Sequence, residues 1–137
     1  MNYISYPGTV EAEITKSKID IIRKICIDVS KEHFYNYKPS EKPKVEPYNP
    51  DWGVEEFEGE GRYVPYVFAR QLTYYFLVKH SKNTLSSIAD YTNKTHATVI
   101  HGNRKIANLK RYDKFMRPTI LKAQRLIDFV VTESIVS

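Results

Sequence analysis

Apolar residues recur at helical spacing in five stretches of this chain, and polar breaks separate them. In "SKIDIIRKICIDVSKEHF", Ile19, Ile22, Cys26 and Val29 fall at i, i+3, i+7 and i+10, with Asp20, Arg23, Lys24 and Asp28 largely off that stripe. This spacing predicts an amphipathic helix from about Ser17 to Phe34. A second helix is expected after Pro65, over Tyr66 to His80, with Ala69, Leu72 and Phe76 inside a tyrosine-rich body. Thr84 is placed to cap a short helix, "LSSIADY", whose Leu85, Ile88 and Ala89 face inward. Thr95 is placed to cap a longer one, "HATVIHGNRKIANL". Pro118 suits the start of the last, in which Ile120, Ala123, Ile127 and Val130 form one stripe.

Between the first two helices the pattern fails. "KPSEKPKVEPYNPDWGVEEFEGEG" holds four prolines and three glycines and has no sustained period, so it reads as a long loop. Glu55, Glu56, Glu58 and Glu60 make it acidic, while Trp52 and Phe57 are the side chains expected to pin part of it to the body. The resulting expectation is a single all-α domain: first helix and its end over 17–40, acidic Pro/Gly-rich loop insert over 41–61, core over 62–111 and C-terminal helix over 112–137. With 137 residues, 42% of them hydrophobic and 27% charged, a modest core and good solubility are expected.

Charge adds a direction to this layout. The net charge is +5, yet residues 1–60 sum to −4, residues 61–125 to +11 and the last twelve to −2. A basic block of that size points to a polyanionic partner. No window approaches a membrane span, and "MNYISYPGTVEAEITKSK" lacks the basic and apolar regions of a secretory signal. The one cysteine, Cys26, sits among isoleucines, which fits a buried thiol in a reducing, cytosolic compartment.

Within the basic block, a short helix, a tight turn and a longer helix follow one another, which is the helix-turn-helix order. At 100° per residue, Val99 and Ile106 lie within about 20° of each other and define the inner face of the second helix. Ala97, His101, Arg104 and Asn108 gather on the opposite side and Lys105 flanks them. No Asp or Glu occurs from Asn93 to Arg111. Solvated helix faces usually mix in acids for pairing, so this composition favours a phosphate-bearing partner. His96 and His101 are about 140° apart on a helix and cannot chelate one ion, so no metal is expected. Phosphate-binding and dinucleotide glycine motifs and the nucleophile elbow are missing, so neither a nucleotide nor any other cofactor is expected, and no enzyme.

These residues carry a resemblance. Ala69-Arg70-Gln71, then Thr84-Leu85-Ser86-Ser87-Ile88-Ala89, then Thr95 through Ile106 resemble, in order, the motifs of the C-terminal DNA-binding domain of the bacterial replication initiator DnaA. The likeness covers about residues 62–110. It implies a Trp-repressor-like helix-turn-helix core that binds double-stranded DNA. By position it implies that Arg62 enters the minor groove and that Thr95, His96, Ala97 and Thr98 read bases. Arg70 and Gln71, the Leu85–Ser86 backbone, His101 and Lys105 would meet the DNA backbone, with Lys94 and Arg104 adding cations to that set.

Thr95 stands where the family has an acid and Ala97 where it has a threonine, so a shifted base preference is expected. Asn93-Lys94 replaces the family's glycines in a shorter turn. The family's ATPase module is missing, so a stand-alone replication accessory or regulatory protein of a phage or mobile element is expected, cytoplasmic and nucleoid-associated. A replication protein or a second copy of the chain is a further candidate partner. A dimeric Trp-repressor-like transcriptional regulator and a protein-interaction module are the rival readings. An acidic loop beside a basic face would also temper non-specific binding.

Overall fold

The computed structural model describes residues 9–38, 48–80 and 85–136, with side chains over 17–38, 48–80 and 85–131. Within them lie six helices: α1 (Thr9–His33), α2 (Val54–Glu58), α3 (Val64–His80), α4 (Leu85–Thr92), α5 (His96–Tyr112) and α6 (Arg117–Val136). The all-α expectation holds among the described residues. Helix α1 begins eight residues earlier than its apolar stripe suggests, just after Pro7-Gly8. "TVEAEITK" contains no breaker and is made largely of residues a helix tolerates. The cap expected from Thr84 lies outside the described residues.

Helix α3 is the hub, in contact with every other helix. Its Phe68, Leu72, Phe76 and Leu77 meet Ile19, Ile22, Cys26 and Val29 of α1, Ile88 and Ala89 of α4, Val99 and Ile106 of α5, and Ile120, Ala123 and Ile127 of α6 in one buried cluster. The periodic residues read from the sequence are thus the core, with Val130 left half-buried. The core seals Cys26 completely. Burial pushes its thiol up to about 12, against a smaller opposing effect of a hydrogen bond with Thr73, so the sulfur is not a nucleophile.

The acidic segment is more ordered than a loop. Residues 54–58 form α2, and Glu56 turns its carboxylate back to accept from the Gly53 amide at 2.7 Å. That is half of a capping box, and it holds the Glu56 carboxyl below its usual range. Trp52 and Phe57 are buried with Ile27, Tyr66 and Ala69 in a second cluster, which Tyr48 and Tyr63 flank. The Trp52 and Tyr66 ring centroids are 5.0 Å apart, and Tyr48 lies 5.6 Å from Tyr66. The two aromatics expected to pin this segment do so.

Helices α3 and α5 approach closely at Gly102. A Cβ there would lie 2.7 Å from Cδ2 of Tyr74 and 3.3 Å from both Cα and Cγ of Gln71. Gly102→Ala gains about 1 kcal/mol of helix propensity but meets an overpacking cost of about 1–3 kcal/mol. We expect a net loss of about 1 kcal/mol by chemical denaturation, abolished when Tyr74→Leu opens the seam. An equal loss in both backgrounds would refute the close packing.

His80 stacks on Phe76 with centroids 6.1 Å apart, and its Nε2 lies 3.0 Å from Oδ1 of Asp128, out of line for a hydrogen bond. Burial lowers its pKa, and the attraction of Asp128 only partly opposes this. The unfolded chain then binds more protons than the folded one once pH falls below about 6.5, so this contribution to stability is lost on acidification. Melting temperature should decline between pH 7.5 and 5, with a shallower slope in His80→Gln. An unchanged slope in that variant would place the effect elsewhere.

Candidate nucleic-acid interface

The turn between α4 and α5 orients everything that follows it. Asn93 has φ of 55°, the left-handed region that asparagine tolerates better than most residues. Its amide donates to the Asp90 carbonyl at 3.2 Å and that of Lys94 to the Ala89 carbonyl at 2.9 Å. This pair of bonds is a Schellman ending for α4, and it explains how Asn93-Lys94 makes the turn without glycine. Thr95 then caps α5, its hydroxyl accepting from the Thr98 amide at 3.2 Å and lying 2.9 Å from the Thr98 hydroxyl.

Rotation of α5 is set by Val99, Gly102 and Ile106, all buried, at i, i+3 and i+7. Thr95, His96, Ala97 and Thr98 are therefore exposed at its N-terminus, and His101, Arg104, Lys105 and Asn108 are exposed along its length. The face read from the sequence is the face presented. Thr95 and Thr98, however, share hydroxyls with each other and with the cap. That leaves His96 and Ala97 as the uncommitted side chains at the tip.

The basic residues divide in two. Toward the end of α5 they are engaged: Lys110 donates to Gln124 Oε1 at 2.6 Å, and Arg117 donates to the Lys110 and Arg111 carbonyls at 2.8 and 2.7 Å. Arg111 lies over the Tyr112 ring, 5.5 Å from its centroid. By contrast the side chains of Arg62, Lys94, Arg104 and Lys105 form no hydrogen bond or ion pair with the described residues. Leu85 and Ser86 open α4, with Ser86 exposed and Leu85 partly packed on the core.

Two of the expected backbone contacts sit differently. Gln71 is half-buried and lies against Gly102 beneath α5. Arg70 needs a correction. It is 9% exposed, and Nε, Nη1 and Nη2 donate to the carbonyls of Phe57, Gly61 and Glu56, each at 2.7 Å. With its guanidinium committed to three carbonyls, Arg70 is an internal clamp and not an open phosphate cation. Its motif position gives no hint of these partners, which lie nine to fourteen residues earlier. Sequence reasoning also missed α2, although Gly53 followed three residues later by Glu56 is its signal.

Among the described residues no cluster of three His, Cys, Asp or Glu side chains is placed to hold a metal. No helix there is long and apolar enough to cross a membrane.

The family whose model matches this chain is described as bacterial dnaA protein helix-turn-helix. It matches residues 52–106, from Trp52 through Ile106. The similarity to the DnaA DNA-binding domain is therefore shown, and residues 52–61, read above as part of an insert, lie inside it. The chromosomal replication initiator protein DnaA of two Porphyromonas gingivalis strains, ATCC 33277 and W83, is 31% identical over 75 residues, 54% of this chain and 16% of the relative. That of Kosmotoga olearia is 40% identical over 52 residues, 38% of this chain and 12% of the relative. The chain thus spans about a sixth or less of the length of these curated relatives. No solved structure matches.

Thr95 separates two roles. Thr95→Ala removes the cap and should lower stability by about 1 kcal/mol, whereas Thr95→Asp keeps an acceptor at the helix start and should melt close to the parent. Equal losses in both variants would show that the hydroxyl is not capping α5.

Proposed function

We propose that this chain is a sequence-specific double-stranded DNA-binding protein acting in replication initiation or its control. The observation that carries the reading is the exposed face of α5. It is an acid-free surface with unpaired Arg104 and Lys105, set within a DnaA-type helix-turn-helix match. Arg62 lies in the minor groove, and the N-terminus of α5 enters the adjacent major groove. There His96 and Ala97 read base edges, with Thr95 and Thr98 beside them. Lys94, His101, Arg104 and Lys105, with the first amides of α4 at Leu85 and Ser86, hold phosphates.

The absence of a carboxylate at Thr95 removes an acceptor for cytosine N4, and Ala97 offers an apolar contact instead, so the preferred site differs from that of relatives with an acid there. The activity is binding, without catalysis, nucleotide or metal. A replication accessory of a phage or mobile element, cytoplasmic and nucleoid-associated, is the setting that fits such a module.

A second reading has its own observation. Phe115 and Phe129 are 87% and 66% exposed, with Tyr112 and Leu126 also open to solvent, which favours contact with a replication protein or a second copy of the chain. Footprints with symmetric half-sites about one helical turn apart would select the dimer.

Neutralising about five phosphates predicts that log K falls with log[salt] at a slope of about −4 to −5. A titration with duplex DNA that gives a slope near zero would sink the proposal. Lys105→Ala should weaken binding to all sequences and reduce the slope by about 1, while His96→Ala should blunt discrimination among them. Indistinguishable effects would remove the assigned geometry.

A further inference from the structure

The strap that carries Arg62 is short and rich in glycine. It runs from Gly59, whose amide closes α2 on the Glu55 and Glu56 carbonyls at 3.0 and 3.3 Å, through Glu60 and Gly61 to Tyr63, before α3 begins at Val64. A segment containing two glycines samples many conformations when nothing holds it. Arg70, one turn and a half into α3, reaches back under it. Nη1 takes the Gly61 carbonyl, in the residue immediately before Arg62, while Nε and Nη2 take the Phe57 and Glu56 carbonyls at the end of α2.

The geometry points to Arg70 as the positioning residue for Arg62, acting on DNA recognition through the strap and not by touching a phosphate. This rests on the DNA-binding reading above. Three charge-assisted bonds from one planar group fix both ends of a small arc, the last turn of α2 and the carbonyl next to Arg62. The guanidinium suits this task because its donors diverge in one plane. A lysine carries the same charge but concentrates its donors at one nitrogen and cannot span three carbonyls.

The strap is consequently ordered before DNA arrives, and the entropy of fixing Arg62 is not charged to binding. A phosphate contact is the poorer account of Arg70, because its side chain is almost wholly buried with every nitrogen already donating. The exposed cation of the pair is Arg62, which forms no bond with the described residues.

The test is a double-mutant cycle on affinity for a duplex enriched from a random pool, read by fluorescence anisotropy beside a scrambled duplex. Arg62→Ala is expected to cost about tenfold on the enriched duplex. Arg70→Lys should cost the same despite its retained charge and should blur the same base pairs as Arg62→Ala. The double variant should be no worse than either single one. Wild-type affinity for Arg70→Lys, or losses that multiply to about a hundredfold, would overturn the inference.

A second readout needs no DNA. With Cys26 buried, a nitroxide placed through Arg62→Cys labels one site, and Arg70→Lys should raise its mobility while circular dichroism stays unchanged. Unchanged mobility overturns the proposal as well. If Arg70→Lys does not fold, one glycine inserted between Gly61 and Arg62 leaves the clamp in place and displaces Arg62. It should match the loss of Arg62→Ala, and wild-type affinity would refute the role of the strap. If the parent binds no duplex in a salt-dependent way, the DNA-binding reading fails, while the mobility result still reports on the clamp.

Discussion

The seam between α3 and α5 decides what this protein shows to its surroundings. Three buried positions, Val99, Gly102 and Ile106, set the rotation of α5, and the middle one admits no side chain because Tyr74 and Gln71 occupy the space. A helix held along one line has its opposite line fixed as well, since 3.6 residues per turn leave no freedom once the inner face is chosen. The exposed row of Ala97, His101, Arg104 and Asn108 is therefore a consequence of packing. The Asn93 turn supplies the other constraint by fixing where α5 begins. Together they fix where the tip of α5 lies and which side chains it presents to solvent.

What was legible in the sequence follows the same division. The stripes Ile19–Ile22–Cys26–Val29, Val99–Ile106 and Ile120–Ala123–Ile127 announce buried faces because helical periodicity is a local property. Thr95 announces a helix start because capping involves a residue and its neighbour three places on. The fate of Arg70 was not legible, because its three carbonyl partners come from another element and are fixed by tertiary folding. Its motif position suggested an outward cation, whereas packing turned it inward. Gly102 is similar: its purpose appears only when the Tyr74 ring is placed against it. Helix α2 falls between these cases, since its five residues are too few for periodicity to register and its proline-rich surroundings argue for a loop.

Charge is partitioned by the same folding. Lys110 and Arg117 hold α5 against α6, and Lys122 pairs with Glu32 on the far side. These cations secure the scaffold. Those at the tip and outer row of α5, with Arg62 on its strap, bond to nothing among the described residues. A cation without a protein partner loses no intramolecular bond when a phosphate approaches, so its gain in binding is not offset by a broken contact. The basic block thus holds both cations committed to the scaffold and cations free to meet a polyanion, with Arg62, Arg104 and Lys105 among the latter.

The acidic segment completes this picture. Glu56 is occupied as a cap, and Glu58 lies 3.4 Å from Arg23 of α1. Phe57 and Glu58 line a small cleft with Tyr91, Thr92 and Lys94, which places the end of α2 beside the turn that leads into α5. Glu55, Glu58 and Glu60 remain exposed. The segment is not dispensable in the way a solvated insert would be, because Trp52 and Phe57 belong to a buried cluster and the Arg70 clamp ends on its carbonyls. Removing it would expose aromatic core and leave a buried guanidinium without its acceptors, a loss of the kind that breaks folds. The end of α2 and the strap that carries Arg62 are therefore both held to α3, by the Arg70 side chain and by the packing of Trp52 and Phe57 on Tyr66 and Ala69.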